Sequence, residues 1–189
     1  GIAKPTGMTG FTESSVRYIS DPSVSQHRAA MFRMSANDLL RFGNFYLNGG
    51  KLGAKQIVPH SWVELIKTDY VETGRKGLRA GHGYLWWLPS VEDTGLPAGT
   101  FFAWGLGNQT LFVVPAWNTV IIHQSDTTQF VKRWTDSMKQ GVPGGEALEE
   151  IVVSCFDPQN ANTEFCIEHR FTTGREFDGL ISGIVGARR

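Results

Sequence analysis

Apolar residues are most concentrated between Gly99 and Gln124, GTFFAWGLGNQTLFVVPAWNTVIIHQ. Phe101 to Trp104, Thr110 to Val114 and Thr119 to His123 form three short apolar runs there. Gly105, Gly107 and Asn108 separate the first run from the second, and Pro115 to Asn118 separate the second from the third. β-Branched and aromatic runs bounded by Gly, Pro and Asn predict three strands joined by two turns. Because the runs are nearly continuous rather than alternating, they predict strands covered on both faces, in the middle of a sheet. A Gly-x-Gly beside such a strand also lets a ligand approach the backbone closely.

Helical spacing governs other stretches. Ser35 is a natural N-cap for ANDLLRFGNFYLN, where Leu39, Leu40, Phe42, Phe45, Tyr46 and Leu47 recur every three or four residues before Gly49-Gly50. Pro59 opens a second helix, PHSWVELIKTDY, with Trp62, Leu65 and Ile66 turned inward. In TQFVKRWTDSMKQ, from Thr128, Phe130, Val131, Trp134 and Met138 share a face before Gly141. Such a helix, coming after antiparallel strands, is expected to lie across the sheet. Residues 51–57 read as a connection and 71–81 as a polar loop. GYLWWL (83–88) reads as one strand closed by Pro89, and SVEDTGLPAG as a turn-rich excursion. Residues 1–30 have no sustained period beyond a short strand around Val16 to Ile19. Toward the C-terminus, EALEEIVVSCF leaves helix and strand both open, FCIEHRF reads as a strand, and ISGIVGARR carries no clear signal. The expected class is α+β, an antiparallel sheet flanked by helices.

Composition narrows the function classes. The 189 residues carry 18 basic and 18 acidic side chains, so no net charge draws the chain to nucleic acid or anionic lipid. The size suits one globular domain or one lobe of a larger protein. No apolar run is long enough to span a bilayer, which takes about 20 residues. The start, GIAKPTGMTG, lacks an initiator Met and leads to the expectation of a processed or excerpted chain. Five scattered His and two Cys form no zinc-type tetrad, so neither a metal nor a cofactor is indicated. Cys155 and Cys166 leave a disulfide open, with free thiols the plainer reading. The compartment also stays open.

Taken together, RMSANDLLRFGNFYLNGG, KQIVPHSWVELI, GHGYLWWL and FFAWGLGNQTLFVVPAWNTVIIHQ resemble the penicillin-recognising serine hydrolases. These include class C-like β-lactamases, family VIII esterases, D-amino-peptidases and 6-aminohexanoate-dimer hydrolases. The order of four segments makes the resemblance more specific than a lone Gly-x-Gly. It covers residues 31–140 and implies the C-terminal half of a β-lactamase/transpeptidase-like fold, after an irregular 1–30 and before an extension, 141–189, of unclear structure. It further implies hydrolysis of an ester, amide or β-lactam through an acyl-enzyme. The family uses a Ser-x-x-Lys, a Tyr-x-Asn or equivalent, and a third motif on the strand edging the active site. AWGLGNQ is similar to the Gly-centred form of that third motif, and the resemblance places an oxyanion-hole N–H on Gly105, Leu106 or Gly107. Trp104, Asn108, Gln109 and His82 are the residues a substrate pocket would draw on. Core packing is the competing reading for Trp86, Trp87 and Trp104, and a surface loop for His82.

The nucleophile motif is missing from these residues. No Ser has a Lys three positions later; Ser14 and Ser25 come nearest, with Arg17 and Arg28, and Arg stays protonated. There is no Gly-x-Ser-x-Gly. Tyr46-Leu47-Asn48 spells Tyr-x-Asn but sits at a helix end, and Thr172-Thr173-Gly174 imitates Lys-Thr-Gly outside the resemblance. The expectation is a half enzyme, inactive alone, whose nucleophile lies upstream of Gly1. It would pair with a complementary N-terminal half or self-associate. The alternative is a non-catalytic binding or interaction module derived from that fold. A weaker one is a self-contained site using His82 or His123 with Ser125 or Asp126.

Overall fold

The computed structural model of the chain describes residues 1–20, 25–68, 71–105, 107–142 and 174–188. Two small antiparallel ribbons come first: β1 (Val16–Ile19) with β2 (Ala29–Phe32), and β3 (Lys51–Leu52) with β4 (Lys55–Gln56). Helix α1 (Ala36–Leu47) separates them and α2 (His60–Leu65) follows. A six-stranded meander then runs through β5 (Val71–Glu72), β6 (Gly81–Gly83), β7 (Trp86–Leu88), β8 (Phe101–Gly105), β9 (Gln109–Val114) and β10 (Thr119–His123). Each strand is antiparallel to the next. Helix α3 (Val91–Thr94) interrupts the connection from β7 to β8. Helices α4 (Thr128–Lys139) and α5 (Gly174–Ala187) follow the sheet. The class is α+β.

Side chains alternate across the sheet, and both faces are apolar. Trp86, Phe101, Leu111 and Val113 join Phe45 and Tyr46 of α1, Val63 of α2 and Ile66 just after it in one buried cluster. Phe102, Phe112 and Val114 turn the other way and meet Phe177, Ile181 and Val185 of α5. Phe102 and Phe112 are register partners with stacked rings 4.4 Å apart. The spacing 177, 181, 185 is one stripe of an α-helix. Helix α1 starts where Ser35 Oγ accepts the Asp38 N–H at 3.1 Å. It presses onto the sheet at Gly43, where a Cβ would stand 2.6 Å from Val120 Cγ1 and 2.8 Å from Leu111 Cδ1.

Several elements depart from the sequence expectation. GYLWWL is a hairpin, not one strand: Tyr84 and Leu85 take φ of 44° and 71° between β6 and β7. Residues 51–57 contain the β3–β4 ribbon. Helix α2 stops at Leu65, so Val63 and Ile66 face the core, while Trp62 is 40% exposed and lies against Tyr84. The excursion after Pro89 contains α3, capped by Ser90. Strand β10 lies at the edge of the described sheet rather than in its middle, and its residues are half-buried. The helix whose side chains fill the second face is α5, which takes in ISGIVGARR up to Ala187. In α4, Trp134 is buried, and the side chain of Phe130 lies outside the described residues. EALEEIVVSCF, FCIEHRF, Cys155 and Cys166 also lie outside them.

Phe177→Ala is expected to lower unfolding stability by about 3–5 kcal/mol in urea titration. Leu180→Ala, on the exposed side of α5, should change it by less than about 0.5 kcal/mol. Equal losses would place α5 off the sheet.

Candidate functional site

Strand β8 ends at Gly105, which is exposed, and Gln109 opposite it begins β9. Of the three expected backbone donors, Gly105 and Gly107 are placed, and Leu106 lies outside the described residues. Gly107 and Asn108 are buried and take φ of 74° and 58°. Asn tolerates this left-handed region better than most side chains, whereas Gly107 has a second constraint. A Cβ there would lie 2.3 Å from Thr127 Cγ2.

The segment leaving β10 wraps this turn. His123, Ser125 and Thr127, spaced two apart along it, all touch the turn. His123 Nδ1 is 2.8 Å from the Asn108 carbonyl, which can only accept, so Nδ1 carries the hydrogen. The Ser125 hydroxyl donates to the Gly107 carbonyl at 2.6 Å. Gln109 and Ser125 then pair amide to backbone: Gln109 Nε2–H donates to the Ser125 carbonyl at 2.7 Å, and the Ser125 N–H donates to Gln109 Oε1 at 3.2 Å. Gln109 Nε2 is also 3.2 Å from Ser125 Oγ. From the β8 side, Trp104 Nε1–H donates to Asn108 Oδ1 at 2.9 Å. The turn is therefore tied to both neighbouring strands through side chains as well as through the ladder.

Trp104, Thr110 and His123 form one cross-strand row above the turn. Thr110 Oγ1, in the middle, is buried and has no hydrogen-bond partner among the described residues. The rings of Trp104 and His123 lie 6.0 and 5.3 Å from that of Phe177. The Arg79 guanidinium stands 4.7 Å from the Trp104 ring centre, a cation–π contact. Burial lowers the Arg79 pKa, and the positive charge of Arg75 lowers it further, while Asp178 acts in the opposite direction. Burial raises the Asp178 carboxyl above its ordinary value against the pull of Arg79.

Trp104, Asn108 and Gln109 thus meet at the turn as one bonded unit. His82 does not join them. It stands in β6, two strands from β8, with its ring edge-on to Trp87 at 4.7 Å, so it is a strand residue and not a loop one. Trp86 is buried in the core, whereas Trp87 and Trp104 are half-buried. Tyr46 is also buried, which raises its pKa, and Asn48 caps α1, so Tyr-Leu-Asn is a helix end. Ser125 and Asp126 are not arranged about His123 as a triad. The Ser125 hydroxyl is spent on Gly107, and the Asp126 carboxylate is held below its ordinary pKa first by the Thr128 hydroxyl and then by the Thr128 N–H, which it accepts at 2.9 Å.

Comparison with known proteins adds limited similarity. No family model matches the chain. An uncharacterised protein of Alkalihalophilus pseudofirmus is 28% identical over 95 residues, which is 47% of this chain and 28% of that protein. Among solved structures, a "Putative 6-aminohexanoate-dimer hydrolase from Bacillus anthracis" is 28% identical with a TM-score of 0.41, over 65% of this chain and 32% of that one. The chain thus spans about a third or less of the length of either.

Sequence reasoning missed Ser125 and Thr127 as partners of the turn, having weighed Ser125 only as a nucleophile. The signal was the two-residue spacing of His123, Ser125 and Thr127 at the end of a strand. Nothing in the sequence brings Arg79 and Asp178 together, since they sit on a loop and a helix far apart in the chain.

Gly107→Ala is expected to cost roughly 2–5 kcal/mol, combining a left-handed backbone with the clash against Thr127. Adding Thr127→Ser removes the clashing methyl and should leave only the backbone share, about 1–2 kcal/mol. Urea titrations of the single and double variants check this, and no recovery in the double variant would show that Thr127 does not pack on Gly107.

Proposed function

We propose that residues 31–140 supply the oxyanion side of a serine hydrolase built on the β-lactamase/transpeptidase-like fold. The nucleophile would come from a Ser-x-x-Lys segment outside residues 1–189. The observation that carries this reading is the AWGLGNQ turn: an exposed strand end at Gly105, followed by buried Gly107 and Asn108, whose carbonyls are held by Ser125 and His123 and whose Asn108 side chain is held by Trp104. Oxyanion donors must be in place before charge develops, and a turn tied on both sides cannot relax away from it. The four-segment resemblance supports the same assignment.

In this scheme the serine Oγ attacks the carbonyl carbon of an ester, amide or β-lactam, and the carbonyl electrons move onto oxygen. A backbone N–H of Gly105, Leu106 or Gly107, together with one at the nucleophile, stabilises that oxyanion. The serine proton passes by way of the Lys of the Ser-x-x-Lys to the leaving oxygen or nitrogen. Collapse then expels the alcohol or amine, or opens the β-lactam ring with its nitrogen still attached, and water adds to the acyl-enzyme to release the acid and regenerate the serine hydroxyl. Trp104, Asn108 and Gln109 shape the turn beside the carbonyl. Loss of one such donor typically lowers kcat by about 10²–10³.

The test is labelling with a fluorophosphonate probe. The isolated chain should not be labelled. The complete gene product, or the chain mixed with a complementary N-terminal half, should be labelled at one serine in a Ser-x-x-Lys. Absence of labelling in every combination would favour a non-catalytic binding module instead.

The same reading bears on assembly. Among the described residues, no strand covers the outer edge of β10 or of β5. An open edge is a template for another strand. The isolated chain is expected to self-associate in light scattering and to become a defined heterodimer when the N-terminal half is added. A monodisperse monomer that ignores the added half would refute this part.

A further inference from the structure

The strap from His123 to Thr127 has no assigned part in the chemistry, yet it is the main set of side-chain contacts holding the turn from the β10 side. We infer that Ser125 is a positioning residue that pins the Gly107 carbonyl, and so holds in place the end of segment 105–107, whose N–H groups are the candidate oxyanion donors. This rests on the hydrolase reading and adds to it a residue that the Gly-centred motif does not contain.

A trans peptide holds its C=O and N–H on opposite sides of one plane. When the Ser125 hydroxyl draws the Gly107 carbonyl toward β10, that whole plane is oriented. His123 does the same for the peptide after Asn108. The two planes are consecutive, and both residues are in the left-handed region, where Gly107 has no Cβ to limit its swing. A glycine at such a position is free to flip unless something outside the local backbone stops it. Ser125 is well placed to do so, because it is itself fixed. Gln109 grips its carbonyl and its N–H, and Gln109 is the residue that closes the turn against Gly105. The hydroxyl is therefore presented from a closed loop of contacts, Gly107 to Ser125 to Gln109, and not from a free side chain. Thr127 closes the remaining side, with its methyl in the space a Gly107 side chain would fill. An alanine at 125 would leave the buried Gly107 carbonyl without its donor and release the plane.

The experiment uses the complete gene product with a p-nitrophenyl ester, comparing wild type, Ser125→Ala, Ser125→Thr and Ser125→Cys. Ser125→Ala should lower kcat about 10- to 100-fold with KM within about twofold of wild type, as expected for a loss felt in the transition state and not in binding. Ser125→Thr keeps the hydroxyl and should restore most of the rate, which a purely structural role would not require. Ser125→Cys keeps the shape with a weaker donor and should fall between; it also serves if the alanine variant does not fold. Hydrogen exchange on the isolated chain should show faster exchange around Gly107 in Ser125→Ala. An active wild type with an unchanged kcat in Ser125→Ala, or in Ser125→Cys where Ala does not fold, overturns the positioning role and leaves the hydrolase reading standing. A wild type that neither turns over the ester nor reacts with the fluorophosphonate overturns both.

Discussion

Strand β9 is buried along nearly its whole length and on both faces, and most of the structure follows from keeping water away from it. Leu111 and Val113 need one apolar surface and Phe112 and Val114 need another, so the sheet requires cover on two sides. Helix α1 supplies the first, at a distance set by Gly43. Helix α5 supplies the second, through Phe177, Ile181 and Val185. Fully burying one such side chain contributes on the order of 1.5–3 kcal/mol, so neither face could be left open without losing the strand.

The same double cover makes the β8–β9 turn a fixed object. Both of its flanking strands are held in the core, and the turn cannot move as a loop usually does. What remains free is the orientation of peptide planes at Gly107 and Asn108, and His123 on β10 and Ser125 just after it settle that through the two carbonyls, while Trp104 on β8 holds the Asn108 side chain. Packing therefore fixes where the turn is, and hydrogen bonds fix which way its backbone points. A site that stabilises developing charge needs both.

Much of this was legible in the chain. Helix α1 announced itself through Ser35, its three-and-four spacing and Gly49-Gly50, because capping and periodicity are local signals. Strands β8 to β10 were legible for the same reason. Helix α5 was not. Gly179, Gly183 and Gly186 dilute its pattern and lower its helix propensity, so its helicity leans on contacts of Phe177, Ile181 and Val185 with a distant sheet. The β6–β7 hairpin was missed because Tyr84 and Leu85 are poor residues for positive φ, each costing roughly 1–2 kcal/mol, and the sheet on either side imposes the turn. At the site, the glycines of AWGLGNQ stood out, while the strap did not, since a serine and a threonine two residues apart after a strand are unremarkable until their partners are known.

Strand β10 joins these two levels. It is half-buried along its length, its inner edge pairs with β9, and its last residue, His123, with Ser125 and Thr127 in the continuation, grips the turn. Its outer edge has no strand partner among the described residues. An edge strand frays more readily than a central one, and fraying from the His123 end would release Asn108 and Gly107 in succession. A strand paired along that outer edge would oppose the fraying without touching the turn. Completeness of the sheet and stiffness of the turn are thus governed by the same strand, so whatever covers β10 also governs how well the turn at Gly105 to Gly107 is held.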